Sequence, residues 1–248
     1  MKITQTVIAS LLSVFSFSCY ANKVDFNLSG GAAFANLSNN SSVQINDVVN
    51  NYYQSHSHHT VAPFYGLGLG HTFENIDHRP LNLSLGVSAY YTDLGSVRGT
   101  ELPFVNGGNF DTLNYHFNVQ STSLLLEPRL IYTYYAWQPY LLAGVGSAWN
   151  RLANYSEAPS DPASSASPAP FYKSHVRSAF AYEVGIGIQH AIFHDEKNKI
   201  DYLLSLDYRY MNFGKGRLTN FSGMTSNGHL GVSNINMQAL VFSLKTSF

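Results

Sequence analysis

Apolar and polar residues alternate one by one along eight separate stretches of the chain. Asp25 to Asn36 sets Phe26, Leu28, Gly30, Ala32 and Phe34 against Asp25, Asn27, Ser29 and Gly31. Pro63 to Glu74 sets Tyr65, Leu67, Leu69, His71 and Phe73 against Gly66, Gly68, Gly70 and Thr72. Leu81 to Asp93 sets Leu81, Leu83, Leu85, Val87, Ala89 and Tyr91 against Asn82, Ser84, Gly86, Ser88 and Thr92. Successive side chains of a strand point to opposite faces, so a period of two predicts strands with one apolar face. The same reading applies to Tyr115–Tyr134, Pro139–Trp149, Val176–Ile192 and Ile200–Phe213. It ends with Asn234–Phe248, where Leu240, Phe242, Leu244, Thr246 and Phe248 oppose Ala239, Val241, Ser243, Lys245 and Ser247.

The connections alternate in length as regularly as the faces alternate in polarity. Leu37–Thr60, Gly95–Asn114, Asn150–Ser174 and Gly214–Ser233 are long; Asn75–Pro80, Tyr135–Gln138 and Phe193–Lys199 are short. Eight antiparallel strands with tight turns at one end, together with both chain ends, and long loops at the other predict an up-and-down transmembrane β-barrel. A soluble sandwich has no reason to alternate its loops in this way. In this register every ionised residue deep within a strand falls opposite the apolar face, so none points toward lipid. Aromatics gather at both ends of the strands. Tyr91, Trp149, Tyr182, Tyr208 and Tyr210 lie toward the long loops, and Phe26, Phe73, Tyr132, Tyr134, Tyr202 and Phe248 toward the turns, as interfacial girdles do. His71 is expected at the turn-side interface. Two features of the fourth stretch stand out. Pro128 removes a ladder hydrogen bond, and the apolar set moves upstream to Phe117 and Val119, which predicts either a bulge or a strand rising out of the membrane.

Composition changes the picture in two ways. Of the 248 residues only 12% are charged and 14% are aromatic, a shift away from soluble domains, where about a quarter of residues are charged. No uninterrupted apolar run reaches the ~18 residues of a spanning helix, and a net charge of −1 leaves no basic footprint for nucleic acid. Met1–Ala21 reads as a cleaved secretory signal, with Lys2 as the positive region, Val7–Phe17 as the apolar core and Cys19-Tyr20-Ala21 as the cleavage site. The apolar core is too short for a membrane anchor, and Ser16 stands where a lipoprotein signal usually carries Leu. Residues 22–248 are then the barrel, without a cysteine to staple it.

The closing alternation ending in Phe248 resembles the last strand of bacterial outer-membrane barrels. Pro139-Tyr140 before Gly144-x-Gly146, with Glu183-x-Gly185-x-Gly187 in the next stretch, resembles small eight-stranded barrels of the OmpA/OmpX type and opacity-like surface proteins across nearly all of Asn22 to Phe248. The resemblance implies insertion by the barrel-assembly machinery, with Leu240, Phe242, Leu244 and Phe248 as the assembly signal, and contact with outer-membrane lipid and lipopolysaccharide. It does not imply peptidoglycan binding, because Phe248 is expected to end the chain.

Candidate chemistry is confined to two places. The inward face carries Glu127, Arg129, Glu183, Asp207, Arg209 and Lys245. An eight-stranded barrel interior holds side chains and little else, so these are expected to plug the lumen as ion pairs, Glu183 with Arg209 among them; a narrow solute or ion path through them is the alternative. Six of the ten histidines fall in or beside the long loops: His56, His58, His59, His116, His175 and His229. The close trio of His56, His58 and His59 is the candidate metal site. No strand is expected to bring a histidine beside a serine with an orienting acid, so a lipid-modifying enzyme is the weaker reading. Ser156–Pro170, rich in Pro, Ala and Ser, reads as an extended segment, and neither it nor Leu37–Thr60 reads as a pocket. The function expected is a non-enzymatic, structural or adhesive surface barrel without a cofactor, its loops facing a host or cell-surface ligand.

Overall fold

A computed structural model describes residues 23–37, 40–44, 50–56, 59–74, 80–103, 111–134, 136–162, 168, 172–220 and 229–248. Met1–Ala21, read as a signal, lies outside the described residues. The elements in chain order are β1 (Lys23–Asn36), β2 (Asn40–Gln44), β3 (Asn50–Ser55), β4 (His59–Phe73), β5 (Leu81–Leu102), β6 (Leu113–Tyr132), β7 (Trp137–Pro159), β8 (Tyr172–Lys173), β9 (His175–Asp195), β10 (Ile200–Asn212), β11 (Gly216–Arg217), β12 (Thr219–Asn220), β13 (Gly231–Val232) and β14 (Asn236–Ser247). The eight long strands are β1, β4, β5, β6, β7, β9, β10 and β14. Each pairs antiparallel with its neighbours, and the β1–β14 pairing closes them into a barrel. Asp25 lies opposite Ser247 and Ala35 opposite Met237, and Val24 and Phe248 exchange backbone hydrogen bonds of 3.0 and 2.9 Å at the seam.

The alternation read along the sequence becomes an inside and an outside. Toward the turn end the outward residues form an apolar belt: Leu67 is 53% exposed, Ile186 61% and Phe242 60%. Asp25, Ser84, Glu127, Arg129, Asp207, Arg209, Ser243 and Lys245 are buried inside. Inward glycines make room for the longer of these. A Cβ on Gly144 would lie 2.6 Å from Glu183 Oε1, and one on Gly187 2.4 Å from Tyr140 Cζ.

The wall continues well past the belt, which corrects the sequence reading of the long connections. Gly95–Leu102 and Asn150–Pro159 are strand, the upper parts of β5 and β7. Leu37–Thr60 contains the hairpin β2–β3, and β3 pairs with upper β5, Tyr52 opposite Leu102 and Ser55 opposite Gly99. Two extra residues allow this re-aiming. β5 slips register between Asp93 and Ser96, where Gly95 has φ +79° and donates its N–H to Asp93 Oδ1 at 3.1 Å. β7 gains a residue where β6 slips between His116 and Asn118, at Asn154 with φ 57°. A β-bulge adds a residue to one strand of a pair and bends it. Both bulges sit on the neighbours of β6. Within β6 itself the alternation never breaks: Tyr115, Phe117, Val119, Ser121, Ser123, Leu125, Glu127, Arg129 and Ile131 all point inward. The apolar set moves to Phe117 and Val119 because the interior, not the strand, changes character.

Candidate functional site

The interior has two storeys. The lower one begins at the turn-end rim, where Lys23 Nζ lies 2.7 Å from Asp201 Oδ2 and 2.9 Å from Glu74 Oε1. One layer in, Lys245 Nζ reaches Asp25 Oδ2 at 2.8 Å, and Thr72, Ser84 and Ser247 donate hydroxyls to the same carboxylate at 2.5, 3.2 and 2.7 Å. Above it Arg129 binds Glu127 Oε1 through Nε at 2.6 Å and Nη2 at 2.5 Å. Arg209, wholly buried, donates Nε to Asp207 Oδ2 at 2.5 Å and points Nη1 to Tyr90 Oη at 2.5 Å, with Glu127 and Glu183 each at 3.4 Å. Tyr90 donates to Glu127, and Tyr140 donates to Asp207 Oδ1 at 2.5 Å. The Arg209 guanidinium also lies 5.3 Å from the Tyr90 ring centroid, within cation–π range. Of the six inward charges named from sequence, Glu127, Arg129, Glu183, Asp207 and Arg209 thus form one cluster. Lys245 stands apart with Asp25, and Arg209 binds Asp207 more closely than Glu183. Tyr90 and Asp25 were not singled out. Both lie on the inward face of their strands, and Tyr90 was masked by Tyr91 beside it, which faces the belt.

The upper storey is apolar. Phe64 stacks on Tyr90 with centroids 5.0 Å apart, and above them Phe117, Val119, Leu125, Leu152, Met211, Met237 and Val241 are buried together. The connection from β10 to β14, read as an exposed loop, folds inward instead: Phe213, Leu218, Leu230, Val232 and Ile235 are buried. Asn150 pins it, donating Nδ2 to Phe213 O at 2.7 Å and Lys215 O at 3.0 Å while accepting from Ser121 Oγ at 2.7 Å. Leu218, Leu230, Val232 and Ile235, apolar positions within a long polar connection, were the sequence signal for this cap.

One acid pair is set into the upper storey. Glu101 Oε1 accepts from Asn51 Nδ2 at 2.6 Å and Tyr53 Oη at 2.9 Å, and Tyr155 Oη lies 3.5 Å from Oε2 while donating to Glu157. Burial, followed by the nearby Glu157 carboxylate, pushes the Glu101 carboxyl up to about 8. Tyr53, Tyr115, Tyr155 and Tyr172 pack around it and are raised by burial.

The loop histidines that can be described fall into two groups. His229 lies near His175, Arg177 and Arg217, and burial together with the Arg217 and Arg177 cations lowers its pKa. His56 and His116 flank a depression on the outward wall. Within the candidate metal trio only His56 can be described: His58 lies outside the described residues, as does the side chain of His59, and the described residues hold no group of three metal-ligating side chains. One contact was not foreseen from the sequence. β6 does bring a histidine beside a serine, since His116 pairs with Ser156 of β7 and its ring nitrogens lie 3.1 and 3.3 Å from Ser156 Oγ.

No family model matches the chain, and no curated protein matches it. Among solved structures it is similar to the Neisserial surface protein A (NspA), at 13% identity over 90% of this chain and 97% of that one, with a TM-score of 0.42. It is also similar to Ail, the attachment invasion locus protein of Yersinia pestis, at 12% identity over 90% and 98% with a TM-score of 0.35. A third is the outer membrane protease OmpT of Escherichia coli, at 8% identity over 92% and 97% with a TM-score of 0.37. At these scores the functional reading rests on the residues of this chain.

Proposed function

We propose that the protein is an outer-membrane barrel that does not conduct: a scaffold that seals its own lumen and presents its upper wall and loops outside the cell for structural or adhesive contact. The belt supports the location. So large a continuous apolar surface is rare on a soluble monomer, whereas a closed barrel satisfies its backbone internally and can face lipid. The observation that carries the reading is the stacked interior. An ion entering from the turn end would have to break the Arg209 cluster and then cross the apolar layer of Phe64, Phe117, Val119 and Met211, where an uncompensated charge is costly.

Planar-bilayer recording of the refolded protein tests the reading. It predicts no stable openings at moderate voltage; well-resolved ohmic steps from a homogeneous preparation would support the narrow-channel alternative instead.

A further inference from the structure

The depression on the outward wall has a volume of about 460 Å³ and is lined by His56, Arg98, Asn114, His116, Ser156 and Glu157. The sheet assembles it. Arg98 of β5 lies opposite His116 of β6, and His116 opposite Ser156 of β7; directly opposed residues of an antiparallel sheet point to the same side, so a guanidinium, an imidazole and a hydroxyl stand in a row. Asn114, two residues on, adds an amide to that face. β3 supplies the edge: His56 N–H donates to Arg98 O at 3.0 Å, and His56 Nε2 lies 3.4 Å from Thr100 Oγ1. Among the described residues Arg98 has no ion-pair partner. Glu157, at the edge, accepts a hydrogen bond from Tyr155.

The Ser156–His116 contact does not make this a hydrolytic dyad. Ser156 Oγ is almost equidistant from the two ring nitrogens, which puts it over the ring and out of line with either lone pair. Among the described residues no carboxylate bonds to His116 to orient it. Proton transfer needs an aligned base. What remains is a concave set of hydrogen-bond donors around one fixed positive charge, with the Glu157 carboxylate at its edge bonded to Tyr155.

We propose that this depression binds a tetrahedral oxyanion, the phosphate or sulfate group of a sugar, through the Arg98 guanidinium with His56, His116, Ser156 and Asn114 as further donors. Guanidinium matches such anions with two parallel hydrogen bonds. The height fits a carbohydrate source. Thr122 pairs with both Tyr91 and Trp149 of the upper girdle, and His116 lies six residues further along β6, which for a tilted strand is about 15 Å above the girdle. That placement rests on the membrane reading above; binding of the anion does not.

The test uses the folded full chain in an uncharged detergent. Inorganic phosphate, and separately sulfate, is titrated at constant ionic strength, with amide shifts of β5, β6 and β7 followed by NMR. Saturable binding that chloride does not compete away is expected, with Arg98→Gln weakening it about tenfold or more, the worth of a charged hydrogen bond, and Arg177→Gln leaving it unchanged. Competition by phosphorylated but not dephosphorylated lipopolysaccharide would place the group on a lipid, and competition by a soluble sugar phosphate on a free glycan. Unsaturable shifts, equal shifts with chloride, or wild-type affinity in Arg98→Gln would each overturn the proposal. So would turnover of a soluble ester that Ser156→Ala abolishes, since it would restore the dyad.

Discussion

The belt half and the upper half of this barrel are built from the same strands with opposite polarity. Along β6, Leu124, Leu126 and Leu130 face outward and Glu127 and Arg129 inward; a few residues further up, Asn114 and His116 face outward and Phe117 and Val119 inward. The backbone alternation runs straight through. What changes is the medium on each side. Around the belt the outside is apolar and the interior carries charge; above it the outside is wet and the interior packs as a soluble core. A period-two pattern therefore reports which face is which only after the surrounding solvent is known.

The contrast can be broken most severely from inside the belt. Arg209→Met leaves Asp207, Glu183 and Glu127 around an empty position, and removing one partner of a buried ion-pair network costs about 3–5 kcal/mol. Urea unfolding should show it, and Arg209→Met combined with Glu183→Gln should cost less than the sum of the two single changes. In the upper half the equivalent loss is packing. Phe117→Ala, which opens a cavity in the buried apolar cluster, is expected to cost about 3 kcal/mol or more.

Charge insertion sharpens the comparison on the outer surface. Phe242→Lys turns an ammonium toward the belt's surroundings and should cost about 2–4 kcal/mol in a bilayer. Asn114→Lys, outward on the upper wall, should stay within about 0.5 kcal/mol. Equal effects in the two would erase the distinction between the halves.

The most localised expected effect is a pH dependence confined to the upper half. The Glu101 carboxyl is raised to about 8 from its ordinary 4.5 by burial and by Glu157. The folded state therefore holds a proton that the unfolded chain releases. Its stabilising contribution is complete below pH 4.5, falls as pH rises toward 8, and is flat above that. Amide exchange at the upper ends of β5 and β7 should quicken across this window, and Glu101→Gln should remove the slope while leaving belt-half exchange unchanged.

These halves were unequally legible. In the belt half one face meets a uniform apolar medium, so Leu240, Phe242 and Leu244 stand out against Ser243 and Lys245, and the barrel's strand count and closure follow. Contacts within the lumen were harder to read, because partners on nonadjacent strands depend on reach across the bore. Arg209 of β10 reaches Tyr90 of β5 and Glu127 of β6 across the interior. In the upper half, polar residues on the wet face and apolar residues within looked like loop. Asn51, Tyr53 and Glu101 became interior only when β3 was recruited onto β5, and Asn150 became a clamp only when the β10–β14 connection folded inward. The first of these long-range events leaves no local signature, and the second leaves only the apolar residues spread through Leu218–Ile235.

The inversion itself is the central claim, and accessibility along one strand tests it directly. Single nitroxides placed from Asn114 to Leu130 of β6 in reconstituted bilayers can be read by oxygen and by a water-soluble nickel complex. The account predicts oxygen access at 124, 126 and 130, nickel access at 114 and 116, and neither at 117, 119 and 125, with one unbroken period of two throughout. Oxygen access at 117 and 119, with the period slipping between them and 124, would contradict it.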